Sequence, residues 1–460
     1  MVAIAAGASR ARGQETIPTW EDAVSWGVGP YPWGLDAADA MGPTGPNEDD
    51  LDGYPDIAIA IGQIDLISGG WTGLTGEVRV YSNEQDWTPP GGGLTLRQVI
   101  PLDHEHLNTL AADVVWADMT GDERPDLVIS ATTHFYGTQE PGAFGFYVYE
   151  WVGGAEPFQF KSYQHTSILV GSASIPVAIR GLVVADFDND GDKDAAAALD
   201  FLESGSGRDY LVVSMNDGTG GLLPETSHEL GVEPASQLST IELATGRFDG
   251  TPGGNTLPDL FTTRHDSELA DGVSLTNMGS GAFTATSIVP PCAEFAFADI
   301  AVGRFTTGKL CDDVAGIGIG NGALYVLHCG GNANFTHDCD GTDDDIYLES
   351  GGPQSLVLSG LTVGHINGGT RPDIVVAPFD DGVGDAYVTF LLGKGNGKFQ
   401  HDPGDSAYDV PLGSFAERPM RVIVADLDQD GFGDIATSNH GTTATTGSLT
   451  VLLNALEVGP

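Results

Sequence analysis

Two nine-residue segments, Asp186-Phe-Asp188-Asn-Asp190-Gly191-Asp-Lys-Asp194 and Asp426-Leu-Asp428-Gln-Asp430-Gly431-Phe-Gly-Asp434, carry carboxylates at positions 1, 3, 5 and 9 and glycine at position 6. Oxygen donors at that spacing, around a turn that glycine permits, suit a hard cation such as calcium. The flanks are not helical. Val-, Ile- and Ala-rich runs lead in and out of both loops, and position 12 is Ala197 or Thr437, where a helix–loop–helix calcium site needs glutamate. A cation loop that joins two strands must sit inside a small sheet, and it recurs.

The closing aspartate is a ruler. It returns at Asp56, Asp126, Asp194, Asp259, Asp312 or Asp313, Asp373 and Asp434, in steps of about 54–70 residues. Each step repeats one order of parts: a strand ending near Ala-Asp or Gly-Arg, the acidic loop, a second strand, a variable loop, a third strand, a glycine turn and a fourth strand. Four strands in each of seven units predict an all-β fold, a seven-bladed β-propeller, whose radial closure hides the sheet edges. The last unit stops after its third strand, near residue 454. Residues 16–20 precede the first unit and are predicted to supply the missing strand and close the ring. One propeller then spans 16–455. Residues 1–15 form a leader or signal-peptide remnant, and 456–460 a tail.

The glycine turns resemble phosphate loops only in isolation. Gly393-Lys-Gly-Asn-Gly397, like 216–220 and 277–281, links two strands with no helix after it. The expectation is a hairpin turn, with Phe283 or Phe399 pinning it to the next blade.

Charge bounds the partners. Lys plus Arg number 18 against 65 Asp plus Glu, a net charge of −47. Such a surface repels nucleic acid and anionic membranes. No run of about 18 apolar residues marks a membrane span. The four cysteines, Cys292, Cys311, Cys329 and Cys339, lack zinc-type spacing. Two local disulfides are expected, with Cys292–Cys311 and Cys329–Cys339 preferred among the three pairings.

These loops and their spacing resemble the FG-GAP/VCBS repeat family, which includes the propeller of integrin alpha subunits. The resemblance covers about residues 16–455. It implies calcium in the loops between first and second strands, on one face of the ring, and partners on the opposite face. It also implies a secreted or cell-surface location. The third loop, Asp118, Thr120, Asp122 and Asp126, keeps the pattern with Thr at position 3. In the first unit Asp39 or Glu48 stands at position 1, followed by Asp50, Asp52, Gly53 and Asp56. Elsewhere position 1 is Arg247, Arg304 or His365. A guanidinium there is expected to pair with Asp259 or Asp312 in place of an ion. About four structural calcium sites follow, with ion pairs in at least two other blades.

The ligand face is predicted to carry Trp71, Phe135, Tyr136, Phe201, His265, Phe379 and His440 on the loops after the second strands. Aromatic rings beside polar groups suit a glycan or an extracellular protein. No Gly-x-Ser-x-Gly elbow and no His-Glu-x-x-His occurs. Adhesion or ligand recognition is therefore the expected function. A polysaccharide-degrading lyase or glycosidase, or a structural matrix component, are the alternatives.

Overall fold

The computed structural model describes residues 16–456 except 44–49, 63, 66–69, 72–75, 88–91, 103–108, 134–142, 167–174, 179–180, 204–205, 235–241, 251–255, 266–269, 289–296, 319–322, 332–333, 337–345, 348–359, 378–385, 402–407, 414–415, 417 and 442–445. The fold is all-β, with seven blades in a ring. Blade 2 shows the plan: Thr109–Ala117, Asp126–Thr133, Ala143–Trp151 and Phe158–Thr166 pair antiparallel in sequence order. The first strands of the seven blades begin at Pro32, Thr109, Ile175, Leu243, Phe297, Gly360 and Pro419. Each touches the next around the axis, and the strand Pro419–Ala425 touches Pro32–Ala38. The alternation of small and branched residues in the second strands, such as Asp56–Ile61 and Asp434–Asn439, leaves every residue of both buried between neighbouring blades.

The ruler aspartate explains the repeat. It opens the second strand of every blade and pairs with the last residue of the first: Ala38 with Asp56, Ala117 with Asp126, Ala185 with Asp194, Gly246 with Asp259, Gly303 with Asp313, Gly364 with Asp373, Ala425 with Asp434. The fifth ruler residue is thus Asp313. All seven are at most 1 % exposed. One carboxylate oxygen accepts a loop amide at 2.6–3.1 Å, from Met41, Met119, Phe187, Phe248, Thr306, Ile366 or Leu427. The other accepts the amide that ends the third strand at 2.7–2.9 Å, from Asn83, Trp151, Asn216, Asn277, Cys329, Gly393 or Asn454. One side chain therefore staples three strand ends, with or without an intact acidic loop around it.

Loop position 2 carries a second constraint. Met119, Phe187, Phe248, Phe305, Ile366 and Leu427 are at most 3 % exposed, as is Met41, which follows the position 2 residue Ala40 in blade 1, and burying each large side chain contributes about 1.5–3 kcal/mol. The carbonyls of four of them are held by the following blade. Asn83, Asn216, Asn277 and Asn454 donate side-chain N–H to Leu427, Met119, Phe187 and Ile366 at 2.5–2.9 Å. The first of these bonds joins blade 1 to blade 7.

Three expectations change in detail. The outer strand of blade 7 is Val24–Gly27, in register with Ser448–Leu452; residues 19–21 extend the pairing only through a bridge, Trp20 to Asn454, and two backbone bonds to 453–455. The disulfide among the described residues is Cys311–Cys329, not Cys292–Cys311 with Cys329–Cys339; Cys329 takes the place that Asn fills in four blades, and because its amide is held by Asp313 it sits beside Cys311 in the loop of its own blade. Cys292 and Cys339 are outside the described residues. Phe283 and Phe399 do pin their turns, but onto Phe187 and Phe305 of the preceding blade, at 5.8 and 5.2 Å. No helix among the described residues is long and apolar enough to cross a membrane.

Asp373 lies in a blade whose loop has lost its carboxylates. Asp373→Ala leaves two buried amides, those of Ile366 and Gly393, without this acceptor. The expected loss is about 2–5 kcal/mol, equal in calcium and in EDTA, read by urea unfolding.

Candidate metal centres and an axial charge ring

Two loops bring three carboxylates within 4.8 Å of one another: Asp186, Asp188 and Asp194 in blade 3, and Asp426, Asp428 and Asp434 in blade 7. Their local geometry follows from the sequence. Gly191 and Gly431 at position 6 have φ of 103° and 92°, and a Cβ on either would meet no atom within 4 Å. Conformation, not space, selects glycine there. Asn189 and Gln429 at position 4 also lie in the left-handed region. Position 1 accepts the amide of position 6, Asp186 from Gly191 and Asp426 from Gly431. Asp190 and Asp430 at position 5 each accept the amide two residues on. They stand outside the converged triads, which hold positions 1, 3 and 9.

The donors are all carboxylate oxygens, a hard set that fits calcium. In blade 7 one of them, Asp426 Oδ1, is buried and has no hydrogen-bond partner among the described residues. A buried carboxylate oxygen without a donor is costly unless a cation meets it. The protonation pattern agrees. Burial first, and neighbouring carboxylates after the backbone bonds, push Asp194 up to about 6 and Asp434 up to about 8. Burial also raises Asp188 and Asp428.

The other expected sites differ. In blade 2 glycine has moved to position 4, and Glu123 at position 6 takes φ 69°. Asp118 there accepts three loop amides, from Gly121, Asp122 and Glu123. Asp126 takes those of Met119 and Thr120, and Asp122 that of Arg124. The loop closes on itself, and Asp118, Asp122 and Asp126 do not form a group of three carboxylates within 4.8 Å of one another. In blade 1 Asp39 holds the amides of Asp52 and Gly53, and Asp52 accepts from Tyr54 and Gln85. Asp56 staples Ala40 and Met41, Asp50 is exposed, and Glu48 lies outside the described residues. The arginines at position 1 do form ion pairs. Arg304 meets Asp312 at 2.9 Å, while Arg247 meets Asp249 at 3.3 Å rather than Asp259. His365 Nδ1 instead bonds the Arg371 carbonyl.

Of the expected ligand residues, His440 is corrected: it is 0 % exposed, 4.5 Å from the ring of Tyr31, and cannot meet a surface ligand. Trp71, Phe201 and His265 lie on strand backbone, but their side chains fall outside the described set. Phe135, Tyr136 and Phe379 lie outside it entirely.

A second cluster lies on the axis. Four residues before the end of each first strand stand Gly34, Asp113, Gly181, Glu242, Asp299, Gly360 and Arg421, one per blade. Arg421 of blade 7 reaches Asp113 at 2.8 Å, Glu242 at 3.2 Å and Asp299 at 3.6 Å. The glycines make room: a Cβ on Gly34 would fall 2.6 Å from Asp113 Cα, and one on Gly360 3.0 Å from Arg421 Cα. Asp113 and Asp299 also accept the amides of Leu182 and Leu361 in the next blades. Asp36, two residues further along blade 1, does the same for Trp116. Burial raises Asp113 and pushes Asp36 up to about 7. Burial alone would lower the Arg421 pKa, but Glu242, Asp113 and Asp299 together raise it. The ring is visible in the sequence once the units are aligned on the ruler aspartate and counted back; motif searching misses it because each residue sits in a different blade.

No protein-family model and no curated protein sequence matches this chain. Solved structures do. An alpha-L-arabinanase from Penicillium chrysogenum, complexed with arabinobiose, aligns at TM-score 0.45 and 8 % identity over 95 % of this chain and 99 % of that one. The Dos1 propeller aligns at TM-score 0.46 and 9 % identity, covering 96 % of both.

Arg421→Ala leaves three buried carboxylates without their counter-charge, and an expected cost of about 3–5 kcal/mol. A second outcome follows from the raised carboxyls. Asp434, Asp36 and Asp194 have folded pKa values of about 8, 7 and 6 against the ordinary 3.8. The folded state therefore binds protons more tightly than the unfolded one, and stability rises as pH falls through this range. In EDTA the melting temperature is expected to climb between pH 8.5 and 5.5. Saturating calcium is expected to remove much of that slope, since it stabilises the ionised form of Asp434 and Asp194.

Proposed function

We propose that this protein is a calcium-stabilised β-propeller of the FG-GAP/VCBS type, acting outside the cell in adhesion or ligand recognition. The supporting observation is the blade 7 triad, in which Asp426 Oδ1 is buried without a donor beside Asp428 and Asp434. Calcium bound there and in blade 3 fixes loops on one face of the ring. At free calcium about tenfold above Kd each site adds ~1.4 kcal/mol, so two sites contribute ~3 kcal/mol, a sizeable share of a typical stability of ~5–15 kcal/mol. Weak extracellular modules, with Kd of about 10⁻⁴–10⁻³ M, work in this regime. The metal is structural in this reading, and recognition of a glycan or an extracellular protein falls to the opposite face.

Polysaccharide cleavage is a second reading. It is favoured by Asp36, a carboxyl at about 7 beside the ionisable Asp113 on the axis. A proton-bearing acid near a second carboxylate is the usual equipment for glycosidic chemistry.

Calorimetric titration of the chelated protein is expected to find two calcium sites. Asp188→Asn and Asp428→Asn should each remove one, and each should lower the melting temperature in calcium. In EDTA the same variants should be neutral or slightly stabilising, because a like charge is gone. Equal destabilisation in both conditions would show that these carboxylates serve the fold without an ion.

A further inference from the structure

The face of the ring that carries the acidic loops is built from the loops between first and second strands and the turns between third and fourth, and its charge is divided. In blades 4, 5 and 6 these segments hold Arg247, Arg304, Lys309, Arg371, Lys394 and Lys398, a third of the chain's Lys and Arg. Besides the ruler residues, their carboxylates are Asp249 and Asp312, which pair with Arg247 and Arg304. The basic arc is continuous between blades 5 and 6. The Thr307 N–H donates to the Gly395 carbonyl and the Gly397 N–H to that of Phe305, and a Cβ on Gly395 would fall 2.9 Å from Arg371 Nε. Lys394 is exposed on the blade 6 turn, and its ammonium meets no carboxylate among the described residues. In blades 7, 1, 2 and 3 the same segments contain Arg124 and Lys193 as their only Lys and Arg. Acids stand against these in every blade, among them the exposed Asp430, Asp86, Asp122, Glu123, Asp190 and Asp217.

The same face gathers apolar side chains. Of the seven large hydrophobic residues exposed among the described residues, five stand on it, one in each of blades 1–5: Leu51, Val152, Leu223, Met278 and Leu310, 43–65 % exposed. Scattered singly such residues are ordinary, but one in each of five consecutive blades makes an arc of the kind that marks an interface.

An anionic polymer would suit the basic arc, but the apolar row runs on through blades 1, 2 and 3, among acids that repel it. A cationic partner meets the reverse. A second copy of this face carries all three parts. In a seven-membered ring the point opposite blade 5 is the junction of blades 1 and 2. The basic arc is centred on blade 5 and the acidic arc on that junction. A two-fold axis lying in the face between them sets each basic arc on the other copy's acidic arc, and brings Leu310 of each over the Leu51 and Val152 side of the other. Every contact of such an interface is made twice. We infer that this face forms a symmetric homodimer, held by the apolar row and the crossed charge arcs. The net charge of −47 per chain opposes association at long range, but at physiological salt it is screened beyond about 8 Å and the contact pairs decide. The dimer turns both opposite faces outward, so recognition there becomes bivalent. Dimerisation needs the face and not the ion, and so is independent of the calcium reading above.

Sedimentation velocity on the calcium-loaded chain, over a wide concentration range, is expected to show a reversible monomer–dimer equilibrium. Met278→Asp should weaken the dimer at least about tenfold, and Lys394→Glu, which sets like charge against the acidic arc, about fivefold. Val99→Asp, at an exposed apolar residue on the outer strand of blade 1, should leave it unchanged. Circular dichroism of all three variants should match the parent, since each side chain is exposed. The homodimer is overturned by a monomer at every concentration, by a dimer that survives Met278→Asp or Lys394→Glu undiminished, or by a dimer that Val99→Asp breaks. A monomer that binds heparin, and loses it on Lys394→Glu, would overturn it too and give the basic arc to an anionic polymer. Calcium binding by a monomer would sink the dimer and leave the calcium reading standing. A dimer that takes up no calcium would do the reverse.

Discussion

A buried carboxylate that accepts two amides from two different strand ends holds each blade together. In an isolated sheet the end of the first strand and the end of the third are both free to fray. Here the ruler aspartate, at most 1 % exposed, ties the loop after the first strand and the last amide of the third to the start of the second. Neither bond needs an ion, which is why the aspartate persists in blades 4, 5 and 6 after position 1 has become Arg247, Arg304 or His365. The cost of burying a charge is met by amides in seven independent places. Burial pushes Asp56, Asp126, Asp194, Asp259 and Asp434 above the ordinary carboxyl value, and at Asp194 and Asp434 the loop carboxylates at positions 3 and 5 add to it.

The acidic loop is then one of several ways to stiffen the same turn. In blades 3 and 7 the loop presents a carboxylate triad. In blade 2 three amides close onto Asp118, and Arg124 lies 3.8 Å over Trp151. In blade 4 an arginine at position 1 pairs with the carboxylate at position 3. Blade 5 combines an ion pair with the Cys311–Cys329 disulfide. Position 2 stays apolar and buried in all of them, so the loop's anchor in the core is common while its electrostatics vary. Where the inter-blade asparagine is lost, other groups stand in: blade 6 has Gly393, and the Gly397 amide bonds the Phe305 carbonyl instead.

Much of this was legible in the sequence because the repeat is a spacing of side chains with fixed jobs. The ruler positions gave blade number, strand order and register, and Arg304 with Asp312 was readable as a substitute for an ion. Less legible was anything that depends on contacts between units. Position 5 carboxylates looked equivalent to the others, but Asp190 and Asp430 stand outside the converged triads. The blade 2 loop keeps left-handed residues at positions 4 and 6, as blades 3 and 7 do, but its glycine stands at position 4 and Glu123 at position 6. Cys311 and Cys329 pair because one occupies the strand end that the ruler aspartate holds, a relation that chain distance does not reveal. His440 looked like a rim residue from its offset, while Tyr31 from the far end of the chain covers it.

The axial ring shows why radial folds accumulate charge at their centre. Seven first strands converge on a channel too narrow for seven large side chains at one level. Glycine at Gly34, Gly181 and Gly360 relieves that crowding, and each lies beside a blade whose residue at that level is charged. Three carboxylates and one guanidinium fill the space that the glycines open. A single apolar residue at that level would be cheaper to desolvate, since a buried ion pair returns little net stability. The charges come with cross-blade bonds attached: Asp113 and Asp299 also accept the Leu182 and Leu361 amides of the next blades, so the ring ties neighbouring first strands together as well as filling the axis.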